Sequence, residues 1–408
     1  MVNSIKVHPY LPQVITIMIK SHRIESIDLL RGIVMIVMAL DHVRDYFHAD
    51  AFLYDPTDMS KTSVVLFFTR WITHFCAPVF IFLAGTSAFL VGTKRSKKEL
   101  SIFLLKRGLW LVFLELTIVN FAWFFNFQFS LITLFVIWAL GVGMILLAAF
   151  VHLPLKMALA VGLIMVFGHN LLDGLTMEGG GMEAISWSVF HQFQGFQLSD
   201  NYSLFVAYPL VPWVGVMLLG YCFGALYQPS DNYSRKKILL YLGFACVALF
   251  VLIRFINGYG DPNPWSVQHS PVFTMLSLLY VTKYPPSLLY LLITLGPSII
   301  FLAVSENYFG ALSQKIKILG RVPMFYYLLH LYLIHLLALG AAVITGYEPS
   351  DMTFNTWVTD SPNLVGYGFN LWVVYAVWIG VVVILYPLCK WYDSYKAAQR
   401  AKWWLSYV

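Results

Sequence analysis

Charge is what this chain of 408 residues has least of: Asp, Glu, Lys and Arg together make up 11% of it. A soluble globule carries about 25%, so water solvates only a minor part of this protein. Cysteine is scarce as well. Cys76, Cys222, Cys246 and Cys389 are scattered through apolar stretches without ligand spacing, and read as small buried hydrophobes, not as disulfides or a metal centre. There is no internal repeat, no low-complexity tract and no soluble domain. Segment 11–19 (LPQVITIMI) is too short to cross a bilayer and has no small-residue cleavage site, so no removed signal peptide is expected.

Hydrophobic residues are abundant instead, at 59% of the chain, with a mean hydropathy of +0.73. Ten segments are apolar and long enough to cross a bilayer: 27–47, 64–92, 103–125, 129–151, 154–172, 205–227, 237–257, 284–304, 318–345 and 368–390. Each must be helical, because lipid cannot satisfy an exposed backbone. The expected fold is an all-α integral membrane protein, a polytopic bundle of about ten transmembrane helices. It forms a single domain over 1–408, with its core at about 24–393 and short cytoplasmic tails. Trp71, Trp123, Tyr208, Tyr227, Tyr347 and Trp391 stand near span ends, as interfacial anchors do.

Charge asymmetry orients the bundle. With both termini cytoplasmic, the inner loops receive Lys94-Arg95-Ser96-Lys97-Lys98, Arg235-Lys236-Lys237, Lys315 and Lys317, while the outer loops hold Asp55, Asp58, Glu178, Asp200, Glu348 and Asp351. The net charge of +6 reflects this topology, and no nucleic-acid partner is expected. Two outer loops, about 173–204 and 257–283, are rich in aromatic and amide side chains suited to stacking on a sugar, although a folded cap would use the same residues.

Polar groups inside spans normally face the bundle interior, since facing lipid is costly. In RGIVMIVMALDH, Arg31 and His42 stand eleven residues apart on nearly the same helix face, a rise of about 16 Å. Asp41 and Asp45 flank His42, and an acid beside a histidine can fix the tautomer that a general base needs. In the second span His74 shares a face with Arg70, and in the third Lys106 and Arg107 sit two turns before Glu115. The ninth span repeats the first: Arg321 and Tyr332 are eleven apart, with His330 and His335 nearby. Lys283 and Tyr284 at the outer start of the eighth span, with Trp265 in the loop before it, are candidates for holding an outer substrate. Each of these also has a bland reading: interfacial clusters, core histidines, snorkelling lysines.

The blocks SIDLLRGIVMIVMALDHVRDYF, THFCAPVFIFLAGTSAFL, YPLVPWVGVMLLGYCFGALY, GDPNPW, TKYPPSLLYLLITLGP and LGRVPMFYYLLHLYLIHLL, in that order, resemble membrane-bound acyltransferases of the heparan-α-glucosaminide N-acetyltransferase type, in particular their bacterial branch. The wider superfamily places an Arg-x10-His helix first, which Arg31 and His42 match. The resemblance implies about ten spans in a bacterial cytoplasmic (inner) membrane. It also implies acetyl-CoA as cytosolic donor, an extracytoplasmic sugar or glycan as acceptor, and no metal. His42 would then be the base, assisted by Asp41 or Asp45. Arg31, Lys106, Arg107 and Arg321 would hold the CoA end, and His74 or Tyr332 would donate to the oxyanion. An acyl-histidine relay fits as well, and homodimerisation stays open. The alternative is a transporter or flippase of a glycan or lipid intermediate with a histidine proton relay, though no two matching halves are visible.

Overall fold

In the computed structural model, which describes residues 24–228, 232–306, 310–399, 402 and 405, the chain is mostly helical. Segment 11–19 lies outside the described residues. Helix α1 (Glu25–Phe47) is followed by α2 (Val64–Trp71) and α3 (Cys76–Gly92), which a 3-10 turn joins. A π turn over Glu115–Val119 joins α4 (Lys97–Leu114) to α5 (Asn120–Phe124). Strand β1 (Leu131–Leu134) precedes α6 (Val136–Phe150) and α7 (Leu155–Gly168). Next come α8 (Met182–Phe190), strands β2 (Gln194–Ser199) and β3 (Tyr202–Val206), and α9 (Leu210–Phe223). The remaining helices are α10 (Asn232–Ile256), α11 (Pro271–Leu279), α12 (Leu288–Ser305), α13 (Ala311–Arg321), α14 (Pro323–Ile344) and α15 (Leu371–Ala398).

Each of the ten expected spans contains helix, but only seven helices among the described residues are long and apolar enough to cross a membrane by length and composition. The other three are α1, loaded with Asp28, Arg31, Asp41, Arg44 and Asp45; the α4–α5 rod; and the shorter α6. The molecule is an all-α membrane protein with one small exception. The fourth expected span, 129–151, begins as a strand, and β1, β3 and β2 form a three-stranded sheet in which β1 runs parallel to β3 and β2 antiparallel to it. The strand and the helix were not separable by hydrophobicity, because short apolar runs suit either state.

The ninth expected span is also divided. Val322 leaves the helical region (φ −127°, ψ 49°), so Arg321 ends α13 and Tyr332 belongs to α14. Pro323 is the cause: its ring disfavours α geometry in the preceding residue, and it suits the first position of a new helix. The eleven-residue spacing of Arg321 and Tyr332 is therefore not a face of one helix.

Helix α1 lies at the centre, against α3, α12, α13, α14 and α15. Its crossing with α13 is a backbone contact. A Cβ on Gly320 would stand 1.9 Å from the Asp28 carbonyl oxygen, and one on Gly32 2.2 Å from that of Ile316. Helices α3 and α9 cross the same way at Gly85 and Gly220. Small residues permit such approach between helices that lipid does not press together. At the rim, α10 and α15 keep large apolar side chains such as Phe244, Phe255, Trp372 and Val383 exposed, as lipid-facing helices do.

Candidate active site

Two cavities meet within the bundle. The first, about 460 Å³, opens beside the N-terminal half of α1; among the described residues its lining carries five cations, Arg31, Arg95, Arg107, Arg321 and Lys396, and no acid. The second, about 720 Å³, lies beside the C-terminal half of α1 and contains His42, Asp41, Asp45, Arg44, Arg70 and Lys283. Met38, Phe80, Val136 and Tyr327 line both, so they form the wall or passage between them. Because α1 is unbroken from Glu25 to Phe47, Arg31 and His42 stand on one rod that serves both cavities.

In the first cavity, Arg31 donates from Nη2 to Ser87 Oγ at 2.9 Å, and its Nη1 is 3.7 Å from Asp28. The buried Asp28 carboxylate also stands 3.7 Å from Arg321, which reaches Asp393 at 3.4 Å. One carboxylate thus positions two guanidinium groups from different helices. An array of guanidinium groups suits phosphate oxygens, which they bind through paired N–H donors.

The second cavity is organised by Asp41. Arg70 Nη1 donates to both of its oxygens at 2.8 Å, Arg44 Nη2 stands 3.0 Å away, and Lys283 Nζ 3.5 Å. Arg44 also holds Asp45 at 2.5 Å. Both carboxylates are consequently engaged by cations, and neither is the hydrogen-bond partner of His42. That partner is His330: its Nε2 lies 2.7 Å from His42 Nδ1, and its Nδ1 lies 3.0 Å from the Tyr326 carbonyl oxygen. A carbonyl only accepts, so His330 carries its proton on Nδ1 and accepts at Nε2. His42 then donates from Nδ1, which leaves its lone pair on Nε2. The Trp123 ring meets the His42 ring edge to face at 4.7 Å and fixes it from a second side. His330 itself lines neither cavity and acts from behind His42.

Aromatic walls complete the second cavity: Trp123, Trp357, Phe193, Phe205, Tyr208 and Tyr284. Tyr284 stacks on Phe193 at 5.3 Å, and Lys283 Nζ stands 5.1 Å from the Tyr284 ring. Tyr54 and Asp360 also line it, beyond the helix ends. Burial and a hydrogen bond to Asp50 lift the Tyr54 phenol to about 12, so it stays a donor near neutral pH; burial pushes the Asp360 carboxyl up.

The remaining expected site residues lie outside both cavities. Lys106 is exposed, and only its neighbour Arg107 faces the first cavity. Glu115 accepts the Trp138 N–H at 2.9 Å at the start of α6, where helix N–H groups lack intrahelical partners. His335 is held between the Ala122 and Met352 carbonyl oxygens at 2.9 and 2.8 Å and joins α14 to the loop around 349–352. Tyr332 donates to the Ile118 carbonyl at 3.0 Å. His74 is buried edge-on against Tyr290, whose hydroxyl donates to the His74 carbonyl at 2.8 Å. Trp265 belongs to the loop after α10, tied to Asn257. Outside the site, Arg254 donates to the carbonyls of Asn263, Ser277, Leu278 and Tyr280 and so ties the loop after α10 to α11.

Sequence reasoning left Arg44, Arg70, Arg95, Lys396 and Tyr327 out of the site. Arg70 carried a signal, a cation four residues before His74 inside a span, whereas Lys396 in the last turn of α15 looked like any cytoplasmic flank.

No individually curated protein matches the chain. The family described as Heparan-alpha-glucosaminide N-acetyltransferase, catalytic, matches residues 23–253, which include all of α1, both arginines that grip Asp41 and more than half of the chain. The chain belongs to this family of membrane acetyltransferases.

Proposed function

We propose that this protein takes an acetyl group from cytosolic acetyl-CoA and delivers it to a sugar or glycan on the other side of a bacterial cytoplasmic membrane. The observation that carries this reading is the meeting of two unlike cavities at Met38, Phe80, Val136 and Tyr327. One is basic and suits the phosphates of CoA. The other is aromatic-walled and suits a sugar, with His42 on its lining. A rise of about 16 Å along α1 from Arg31 to His42 matches a donor that is anchored by phosphate and reacts at a distant thioester. The ten helices would be ten spans, with both termini cytoplasmic, since the lysine- and arginine-rich loops lie toward the Arg31 end.

In this mechanism Arg31, Arg107 and Arg321 bind the phosphates and leave the acetyl thioester at the junction. His42 Nε2 takes the proton of the acceptor hydroxyl or amine as its oxygen or nitrogen attacks the thioester carbonyl. The positive charge on His42 is shared with His330, whose Nδ1–H is held by the Tyr326 carbonyl. Tyr327, at the junction, donates to the oxyanion, a role that His74 and Tyr332 cannot fill from outside the cavities. The C–S bond then breaks, and the CoA sulfur leaves with the proton returned by His42. Asp41 gathers Arg44, Arg70 and Lys283 on the wall of the acceptor cavity, and from there Lys283 meets the acceptor while still held by Asp41.

Purified protein supplied with radiolabelled acetyl-CoA tests the reading. It predicts CoA release or acetylated product that disappears in His42→Ala. Wild-type protein that neither binds acetyl-CoA nor releases CoA contradicts it.

A further inference from the structure

A second group of titratable side chains lies away from both cavities, in the lobe that holds the sheet. His169 opens the 3-10 turn that closes α7, Asp173 follows that turn, and His191 caps α8. One ligand atom from each lies within 4.8 Å of the other two. The imidazole rings stand 5.6 Å apart at 65°. His191 Nε2 is 3.1 Å from Asp173 Oδ1, and the Asn170 amide donates to the other Asp173 oxygen at 2.7 Å.

The histidines are otherwise hard to explain. Both are 2% exposed, and among the described residues neither nitrogen of His169 has a hydrogen-bond partner, nor has Nδ1 of His191. A buried polar atom left unsatisfied is costly, and native structures rarely keep three together. A neutral imidazole keeps a lone pair on one of its two nitrogens, and beside a carboxylate that lone pair has a use: it can be offered to a cation.

We propose that His169, Asp173 and His191 bind a divalent transition-metal ion, Zn²⁺ by preference, with water completing the coordination. Two imidazoles and a carboxylate form a donor set that zinc accepts, whereas Ca²⁺ and Mg²⁺ take oxygen ligands. Tetrahedral ligands at about 2.0–2.1 Å from zinc stand roughly 3.4 Å from one another, so side-chain rotations of about 1 Å close this site. The Asn170 amide orients the carboxylate, as partners of metal ligands commonly do. The sequence carried no metal signal because the ligands stand four and eighteen residues apart on unrelated elements.

The ion ties together segments that build the acceptor cavity. His191 is two residues before Phe193, which lines that cavity and stacks on Tyr284. Asn170 also accepts the N–H of Leu288, the first residue of α12. Metal binding therefore braces the end of α7, the approach to β2 and the start of α12.

The test uses the full chain, purified without a histidine tag, stripped with EDTA and titrated with Zn²⁺ or Co²⁺. One equivalent of Co²⁺ is expected to develop visible d–d absorption that Zn²⁺ abolishes, and Zn²⁺ but not Mg²⁺ to raise the melting temperature. His169→Ala should lose the cobalt band and weaken Zn²⁺ binding by at least about 100-fold. Asn170→Ala, which keeps all three ligands, should weaken it roughly 10- to 100-fold. A wild-type protein with no saturable cobalt band overturns the proposal whether or not the variants fold. So does unchanged Zn²⁺ binding by monodisperse His169→Ala.

Discussion

Replacing His330 with alanine removes the acceptor that His42 Nδ1 meets at 2.7 Å, and His330 itself lines neither cavity. The size of the effect follows from the geometry. His42 keeps its imidazole, so the base is still present, but its Nδ1–H is left without a partner and its tautomer is no longer selected. The lost bond matters most when His42 becomes charged in the transition state; a hydrogen bond to a charged group contributes about 1.5–3 kcal/mol, a fall in kcat of roughly 12- to 150-fold. His42→Ala removes the base altogether and is expected to cost about 10²- to 10⁴-fold. Because His330 acts only through His42, the double variant should be no slower than His42→Ala alone. The assay is acetyl-CoA turnover by detergent-purified protein, followed as free thiol and normalised to folded protein by size-exclusion chromatography. Losses that multiply in the double variant would refute the reasoning, since His330 would then have a role independent of His42. Full activity in His330→Ala would refute it as well.

Other residues separate binding, chemistry and scaffold. Arg31→Ala should raise KM for acetyl-CoA with little change in kcat, and the effect should shrink at high salt; steady-state kinetics at two ionic strengths checks this. Tyr327→Phe should lower kcat by about 10²- to 10³-fold while binding of acetyl-CoA, measured by equilibrium dialysis, is retained. Asp41→Asn leaves Arg44, Arg70 and Lys283 facing one another, and should destabilise the fold by about 3–5 kcal/mol, visible as a lower melting temperature. Glu115→Ala removes the acceptor of the Trp138 N–H; it should cost about 0.5–2 kcal/mol of stability and leave kcat of the folded protein unchanged.

How much of this was legible depends on how far apart the partners are in sequence. The helices were readable because length and hydropathy are local, and so was the sharing of one helix by Arg31 and His42. The division at Val322 was readable in principle from Pro323, but a continuous apolar run concealed it. The partner of His42 was not readable. Periodicity says which face a residue occupies, not which helix comes to meet it, and His330 is 288 positions away. Asp41 and Asp45 were the local choice for the acid beside the histidine; Arg44 and Arg70 claim them instead. Glu115 and His335 looked functional because polar groups in spans demand partners. They have them: a helix N-terminus for one and two carbonyl groups for the other.

The central claim is transfer between two faces of a membrane through cavities that meet at Tyr327. Proteoliposomes loaded with radiolabelled acetyl-CoA, with a panel of amino and neutral sugars supplied only outside, test it most directly. In vesicles whose protein is oriented with the Arg31 cavity inward, the account predicts labelled sugar outside and free CoA retained inside, both lost in His42→Ala. Labelled sugar that forms only when donor and acceptor share a compartment would contradict it.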